Sequence, residues 1–147
     1  MHIKLQNRYI VTLIPFLEGM KLKSEKSRAR SKFLALAAEA YASLHDSELD
    51  LLREYAVQDE RGEPRQDESG KFTLRDNTAR EYMVERDKLF SEVAEIEGGT
   101  YTAHLSLMRQ ALAEYDGELE GDNAALYDAL CDAFDEAAID EAVKSDG

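Results

Sequence analysis

The chain has 147 residues, of which 44% are apolar and 33% charged, and its formal net charge is −13. That apolar fraction supports a core and argues against wholesale disorder, while the acidic balance argues against a nucleic-acid binder with a basic face. A single cysteine excludes a disulfide scaffold, and no apolar run reaches the ~20 residues of a membrane span. We expect one domain over residues 1–147.

The first predicted elements are a short strand and a helix. Residues 2–6 alternate polar and apolar side chains, which is typical of a strand with one buried face. Asn7 is a candidate cap for the helix, but Pro15 lies inside it, and an internal proline costs roughly 3 kcal/mol. We therefore expect a helix that is kinked or starts late and that ends at Gly19 or Met20.

No targeting segment is predicted at the start of the chain. Thr12 and Pro15 interrupt the apolar stretch 9–17, and no small-residue cleavage site follows it. The stretch therefore differs from a secretory signal and is expected to be a core element of a cytoplasmic protein.

Two helices are predicted between residues 24 and 57. Ser24 can cap the first, in which apolar residues from Phe33 to Leu44 recur every three or four positions. Residues 45–47 (His-Asp-Ser) are expected to break this helix. The next helix is then expected to run from Glu48 to about Val57.

A charged excursion follows at residues 58–74. It contains Gly62, Pro64 and Gly70 among many charged side chains, which indicates turns at the surface. Residues 71–74 have the composition of a short strand. We expect a β-hairpin or a mobile loop, with a dedicated binding loop as the alternative.

Thr78 and Glu81 form the Thr-x-x-Glu pattern of a capping box and predict the start of another helix. Residues 92–96 fit either the end of that helix or a short strand. The side chains expected to be buried on this helix are Ala79, Tyr82, Met83, Leu89 and Phe90.

The last two helices have the clearest periodicity. Asp116 and Gly117 are expected to end the first of them, and Asp122 can cap the second. We expect fraying in residues 139–147 because the second apolar stripe ends before them. The first stripe consists of Tyr101, Leu105, Met108, Leu112 and Tyr115, and the second of Leu126, Tyr127, Leu130, Phe134 and Ala137.

Together these elements predict a mainly α fold, namely a compact bundle of about six helices with a small β-hairpin or short-strand element. No repeat of 20–50 residues is present, so a solenoid is not expected.

Charge is segregated along the chain. Residues 1–32 hold eight Lys or Arg against two Glu, whereas residues 114–147 hold twelve acids against Lys144 alone. Three interpretations remain open: a solvated face, pairing of the basic segment with the acidic one, or an acidic helix that imitates nucleic-acid phosphates. The candidate partner-binding acids on the last helix are Asp128, Asp132, Asp135 and Glu136.

The basic segment offers two further candidates for partner contact. Arg28 and Lys32 point away from the apolar stripe of their helix, whereas Arg30 is expected at the core edge, paired with an acid. The cations straddle the helix, so direct nucleic-acid binding is not expected, and neither is membrane anchoring.

Standard catalytic and metal-binding patterns are missing from the sequence. It has no phosphate-binding glycine loop, no Gly-x-Ser-x-Gly and no calcium loop. His2, His45 and His104 have no His or Cys partner at ligand spacing, and His104 is expected to be structural. Cys131 is expected to be a small buried hydrophobic residue. We therefore expect no enzyme activity, catalytic site, cofactor or metal site.

Three N-terminal stretches carry a family resemblance: 3–10 (IKLQNRYI), 16–23 (FLEGMKLK) and 27–34 (SRARSKFL). Together with the 58–74 excursion and the segment from Tyr101 to Leu119, they resemble a small family encoded by phages and prophages of Gram-positive bacteria. Its members are known only as a domain of unknown function. The resemblance implies a phage or prophage origin and transfers no site residues.

The sequence thus predicts a non-enzymatic phage or prophage accessory protein that binds another protein. One form of this hypothesis is a component of the virion or tail module, with self-association as an option. Its partner would be a phage structural protein. The alternative is an acidic, nucleic-acid-mimicking inhibitor of a host defence nuclease, similar to an anti-CRISPR protein. Either would act in the cytoplasm of the bacterial host, the first also in the virion.

Overall fold

The computed structural model describes residues 1–98 and 103–146, and this part is mainly helical. It contains five helices and a two-stranded antiparallel sheet, which confirms the predicted class of a mainly α fold with a small β element. The chain divides into two compact units, Met1–Tyr41 with Val93–Gly147 (unit 1) and Ala42–Glu92 (unit 2). The elements are β1 (His2–Gln6), α1 (Asn7–Gly19), α2 (Ser24–Tyr55), α3 (Ala79–Ser91), β2 (Val93–Glu97), α4 (Ala103–Glu114) and α5 (Gly121–Asp146).

The sheet joins two segments that are far apart in sequence. β1 pairs antiparallel with β2, with His2 opposite Glu97 and Gln6 opposite Val93. Side chains alternate between faces along a strand, so Ile3, Leu5 and Ile96 are buried on the inner face. The predicted strand 2–6 is confirmed, and residues 92–96 belong mostly to a strand rather than to a helix end.

Helix α1 starts earlier than expected. It begins at Asn7, directly after β1, and continues through Pro15 to Gly19. Asn7 is therefore the first helical residue and not the cap, and the late start was wrong. The expected end at Gly19 is confirmed. The helix continues through Pro15 because burial of its apolar face outweighs the hydrogen bond that the proline cannot donate.

Arg30 stabilises the end of α1. Among the residues that the structure describes, it does not form the ion pair with an acid that was expected. Its guanidinium donates to the carbonyl oxygens of Met20 and, at 3.4 Å, of Leu17. The last carbonyls of a helix lack partners within the helix, and a cation also complements the negative end of its dipole. A fork of donors can satisfy two such oxygens at once.

The expected break at residues 45–47 is absent, which is why the described part has five helices and not six. α2 continues from Ser24 to Tyr55. Asp and Ser inside a helix cost only some tenths of a kcal/mol each. The buried positions Leu44 and Leu52 lie on either side of the expected break. Their burial favours one continuous helix across it.

The core of unit 1 lies between the sheet, α1, α4, α5 and the first part of α2. Phe33 of α2 meets Phe134 of α5 edge-on at 5.3 Å between ring centroids, and both are fully buried. Such pairs contribute beyond their buried area. The stripes predicted for the last two helices are confirmed at Leu105, Met108, Leu112, Leu126, Leu130, Phe134 and Ala137, which are all buried.

Two expectations on these helices have different outcomes. Tyr101 lies outside the described residues. α5 is helical to Asp146, and the expected fraying of residues 139–147 stays a prediction because helix bounds do not measure motion.

Unit 2 contains an unexpected repeat, here called the triple-turn loop (residues 55–78). Its backbone closes a ring, because Val57 N–H donates to Thr73 O, Thr73 N–H to Arg65 O, and Arg65 N–H to Val57 O, at 2.7, 3.2 and 2.7 Å. The three residues are eight positions apart. The 58–74 segment is thus a closed set of short pairings rather than a single hairpin.

Asp59 and Asp67 build two equivalent turns of this loop. Asp59 Oδ1 accepts from the backbone of Arg61 and Glu63 at 2.8 and 3.0 Å. Asp67 Oδ1 accepts from the backbone of Ser69 and Lys71, both at 2.9 Å, and from the Ser69 hydroxyl at 2.7 Å. These hydrogen bonds, the Ser69 hydroxyl first, hold the pKa of Asp67 below its usual value. Gly62 and Gly70 supply the positive φ that each turn requires.

The predicted capping box at the start of α3 does not form. Thr78 donates its hydroxyl to Arg75 O at 2.6 Å, and Glu81 accepts from the Tyr55 hydroxyl at 3.0 Å. Burial, followed by this hydrogen bond, raises the pKa of Tyr55 to about 12. Of the side chains expected to be buried on α3, only Phe90 is buried, and Met83 is exposed.

None of the helices in the described part is both long and apolar enough to cross a membrane.

Candidate protein-binding face

Three of the predicted site residues line the outer face of α5 and are called the acidic stripe. Asp128, Asp132 and Glu136 are exposed and four residues apart, so they occupy successive turns. Within residues 1–98 and 103–146, no hydrogen bond or ion pair engages these three carboxylates. Asp140 continues the series and is also exposed.

Asp135, the fourth predicted acid, has a partner. Arg109 of α4 donates to Asp135 Oδ1 through Nε at 3.1 Å and through Nη2 at 2.9 Å. Both side chains are about half exposed, so this pair contributes ~0–1 kcal/mol. The pair links α4 to α5. The Asp135 carboxylate is therefore already engaged within the chain.

A shallow groove of about 340 Å³ lies beside the acidic stripe, between α4 and α5. Leu112, Phe134 and Cys131 contribute apolar lining, while the Arg109–Asp135 pair forms part of its rim. Cys131, which was expected to be a small buried hydrophobic residue, is only half-buried and lines this groove.

The environment of Cys131 makes its thiol a poor nucleophile. Burial raises the pKa of Cys131, the nearby Tyr127 hydroxyl opposes this rise, and the carboxylates of Asp135, Asp132 and Asp128 raise the pKa further. The thiolate is the reactive form of cysteine. A raised pKa leaves less of this form at neutral pH.

Tyr127 and the rings beside it fix one end of this face. The Tyr127 hydroxyl donates to Leu112 O at 2.5 Å, which satisfies a carbonyl near the end of α4. Phe16, Tyr115 and Tyr127 form an aromatic cluster with ring centroids 5.5 to 6.3 Å apart. These contacts join α1 and α5 to the chain at the end of α4.

The two predicted basic contacts are not part of the acidic stripe. Arg28 is exposed on α2, whereas Lys32 is half-buried and close enough to act on His104. The basic and acidic segments instead meet where Lys26 donates to Glu114. This is one contact of the kind expected from the segregated charges.

His104 is buried in unit 1, as expected for a structural histidine, but neither ring nitrogen has a hydrogen-bond partner in the described part. Burial lowers the pKa of His104, and the charge of Lys32 lowers it further. The imidazole is thus held neutral at an energetic cost.

Sequence reasoning missed Arg109 and the groove. Arg109 is the only Lys or Arg of α4, and the relevant signal is its position one residue after the buried Met108, at the edge of the stripe. Which acid it meets depends on how α4 crosses α5, and no local pattern encodes that.

The chain belongs to the family described as a protein of unknown function (DUF1617), whose model matches residues 1–141. No curated protein and no solved structure matches the chain.

Proposed function

We propose that this DUF1617 member is a non-enzymatic accessory protein of phage or prophage origin that uses the outer face of α5 to bind a basic, amphipathic segment of another protein. The supporting observation is the acidic stripe, unpaired within the described residues and adjacent to an apolar groove. In this proposal the partner is a virion or tail-module protein, met in the host cytoplasm.

The acidic stripe argues for a role beyond folding. Like charges four residues apart on a helix destabilise it by about 0.2–0.5 kcal/mol per pair, and Asp128, Asp132 and Glu136 form two such pairs. Partner cations would relieve this repulsion. They would also speed the encounter, which makes binding sensitive to salt.

The groove supplies what charge alone cannot, namely a defined position for the partner. Its accessible apolar lining comes from Ala113 and Cys131, above the buried Leu112 and Phe134, and suits one Leu or aromatic side chain of the partner. A buried apolar anchor surrounded by charged contacts is the usual division of energy in protein interfaces. The expected ligand is therefore a segment rich in Lys or Arg with one apolar anchor.

A synthetic 20-residue helical peptide with a Lys/Arg face and one Leu anchor tests this proposal in fluorescence anisotropy. We expect the triple variant Asp128→Asn, Asp132→Asn, Glu136→Gln to bind at least about tenfold more weakly than the native chain, corresponding to ~1.4 kcal/mol. A matched control is Glu60→Gln, Glu68→Gln, Asp87→Asn, which removes three exposed charges from unit 2.

The control separates a site from a general charge effect. Equal weakening in both triple variants would contradict the proposal, as would unchanged affinity when Ala replaces the peptide's Leu. Asp135 is kept in all variants because its loss would release Arg109.

A second candidate function, inhibition of a host nuclease by nucleic-acid mimicry, is favoured by one observation. Asp128, Asp132, Glu136 and Asp140 form a series of exposed carboxylates with a rise of about 6 Å per step along the helix. Such a series can occupy a channel built for phosphates. This function predicts that double-stranded DNA competes with the chain for its target, whereas a tail-module partner would be indifferent to DNA.

A further inference from the structure

The outer face of the sheet carries three side chains with metal-binding atoms. We propose that His2, Glu95 and Glu97 form a Zn²⁺ site that ties β1 to β2. The proposal does not rest on the proposed protein binding, because none of these residues belongs to the acidic stripe or the groove.

Strand register brings the three side chains together. His2 lies directly opposite Glu97, and Glu95 is two residues earlier on β2 and therefore on the same face. His2 Nδ1 lies 2.8 Å from Glu95 Oε1 and 3.7 Å from Glu97 Oε1. One donor atom from each residue lies within 4.8 Å of the other two.

These distances fit a single small ion. Zinc binds imidazole nitrogen at ~2.0–2.1 Å and carboxylate oxygen at ~2.0–2.2 Å, so neighbouring ligand atoms of a tetrahedral site are about 3.4 Å apart. The His2–Glu97 separation of 3.7 Å is near that value, whereas the 2.8 Å His2–Glu95 contact is a hydrogen-bonding distance, which zinc would replace by moving the two atoms slightly apart. All three side chains are at least 43% exposed, so small rotations can bring them into position and an ion can reach them from solvent.

The donor set selects the kind of ion. An imidazole nitrogen with two carboxylates favours zinc over calcium or magnesium, which prefer oxygen alone. Three protein ligands leave a coordination position for water. A neighbouring pocket of about 160 Å³, lined by His2 and Glu95 together with Lys4, Asp140 and Glu141, provides room for that water.

A bound ion would stabilise a weak part of the fold. A two-stranded sheet is marginal by itself, and residues 7–92 separate β1 from β2 along the chain. An ion bound to both strands stabilises the folded state by an amount that grows with the logarithm of the free ion concentration divided by the dissociation constant.

Calorimetric titration of the chelator-treated full chain with ZnCl₂ at neutral pH tests the site. We expect one ion per chain, a higher melting temperature, and at least about tenfold weaker affinity in both His2→Phe and Glu97→Gln. Glu118→Gln is the matched control, since it removes one exposed carboxylate elsewhere and should bind zinc as the native chain does. Far-UV circular dichroism checks that each variant is folded.

Imidazole ¹⁵N spectra identify the ligand atom. Zinc should shift the Nδ1 resonance of His2 and leave His45 unchanged. Absence of zinc binding, equal weakening in Glu118→Gln, or displacement of zinc by equimolar magnesium would each overturn the proposal. So would several weak ions that bind His2→Phe and the native chain alike, since the chain has 31 acidic residues to offer.

Discussion

The two units of the chain become compact by different means. Most of the buried apolar residues of the described part belong to unit 1, whereas unit 2 contributes only Leu44, Leu52, Tyr55, Ala56 and Phe90. Unit 2 relies more on polar contacts, chiefly the Asp59 and Asp67 turns and the pairing of Arg53 with Asp50 and Glu63.

This contrast has consequences for stability. Complete burial of a large apolar side chain is worth ~1.5–3 kcal/mol, whereas a typical hydrogen bond contributes ~0.5–1.5 kcal/mol net. Substitutions in the core of unit 1 should therefore affect the whole fold, and those in the loop of unit 2 should act locally.

The largest expected effect comes from Phe134→Ala. Removing this fully buried ring also leaves Phe33 without its edge-on partner, and the free energy of unfolding should fall by about 3–5 kcal/mol. Urea denaturation measures this loss. Val143→Ala on the same helix is the control and should change stability by less than ~0.5 kcal/mol, because Val143 is exposed. A loss below about 1 kcal/mol for Phe134→Ala would show that the core of unit 1 is not tightly packed.

His104→Leu should have a smaller effect of the opposite sign. The substitution removes two unpartnered ring nitrogens from the core of unit 1, and stability at pH 8 should rise by about 1 kcal/mol. The free energy of unfolding from urea curves at pH 8 and pH 5.5 measures both this gain and its pH dependence.

The pH dependence has a defined sign. The folded-state pKa of His104 lies below its usual value of 6.5, so the unfolded chain takes up the proton first. Above about pH 6.5, the titration of His104 does not lower the free energy of unfolding. Below that pH the free energy of unfolding falls, because the unfolded chain binds the proton more readily than the folded chain. The stability difference between His104→Leu and the native chain should therefore widen at pH 5.5. A constant difference would mean that His104 finds a partner when protonated.

The smallest effect is expected from Asp67→Ala, and it should stay within the triple-turn loop. Amide hydrogen exchange should accelerate at Ser69 and Lys71, whose N–H groups donate to Asp67, and should not change at Leu112 in unit 1. Asp59→Ala is the matched variant and should act likewise on Arg61 and Glu63. Faster exchange throughout unit 1 would contradict the idea that this loop is locally stabilised.

In the native chain the Asp67 turn should also respond to acid. The pKa of Asp67 is lowered by its hydrogen bonds, so the turn is fully stabilised above about pH 3.8 and weakens as pH falls through the folded-state pKa. The amide chemical shifts of Ser69 and Lys71 should titrate together in that range.

Local periodicity predicted most of the helices, and its failures have physical causes. The strand 2–6 and the stripes of α4 and α5 were predictable because each buries one regular face. The predicted break at residues 45–47 was wrong. Burial of Leu44 and Leu52 on either side of it outweighs the low helix propensity of the polar residues between them. The eight-residue repeat of the triple-turn loop was not predicted, because it is shorter than the periods of 20–50 residues that are typical of solenoids. Its signal in the sequence is Gln-Asp-Glu-x-Gly, which occurs at both 58–62 and 66–70.

The candidate sites were less predictable than the fold. The acidic stripe follows from helical spacing alone, so Asp128, Asp132 and Glu136 could be selected from sequence. The partnership of Asp135 with Arg109 depends on helix packing. The grouping of His2 with Glu95 and Glu97 depends on strand register across the whole chain, and no local spacing of histidines could indicate it.

The ring closure of the triple-turn loop makes this segment separable from the helices that it connects. Arg75 N–H donates to Tyr55 O at 2.9 Å, so the chain leaves the ring beside the point where it enters. A short linker could therefore replace residues 57–74, which leaves the buried Ala56 in place, without pulling α2 and α3 apart, and a foreign peptide inserted at Gly62 or Gly70 would project from the protein. The loop thus offers a natural position for tags or alternative recognition sequences.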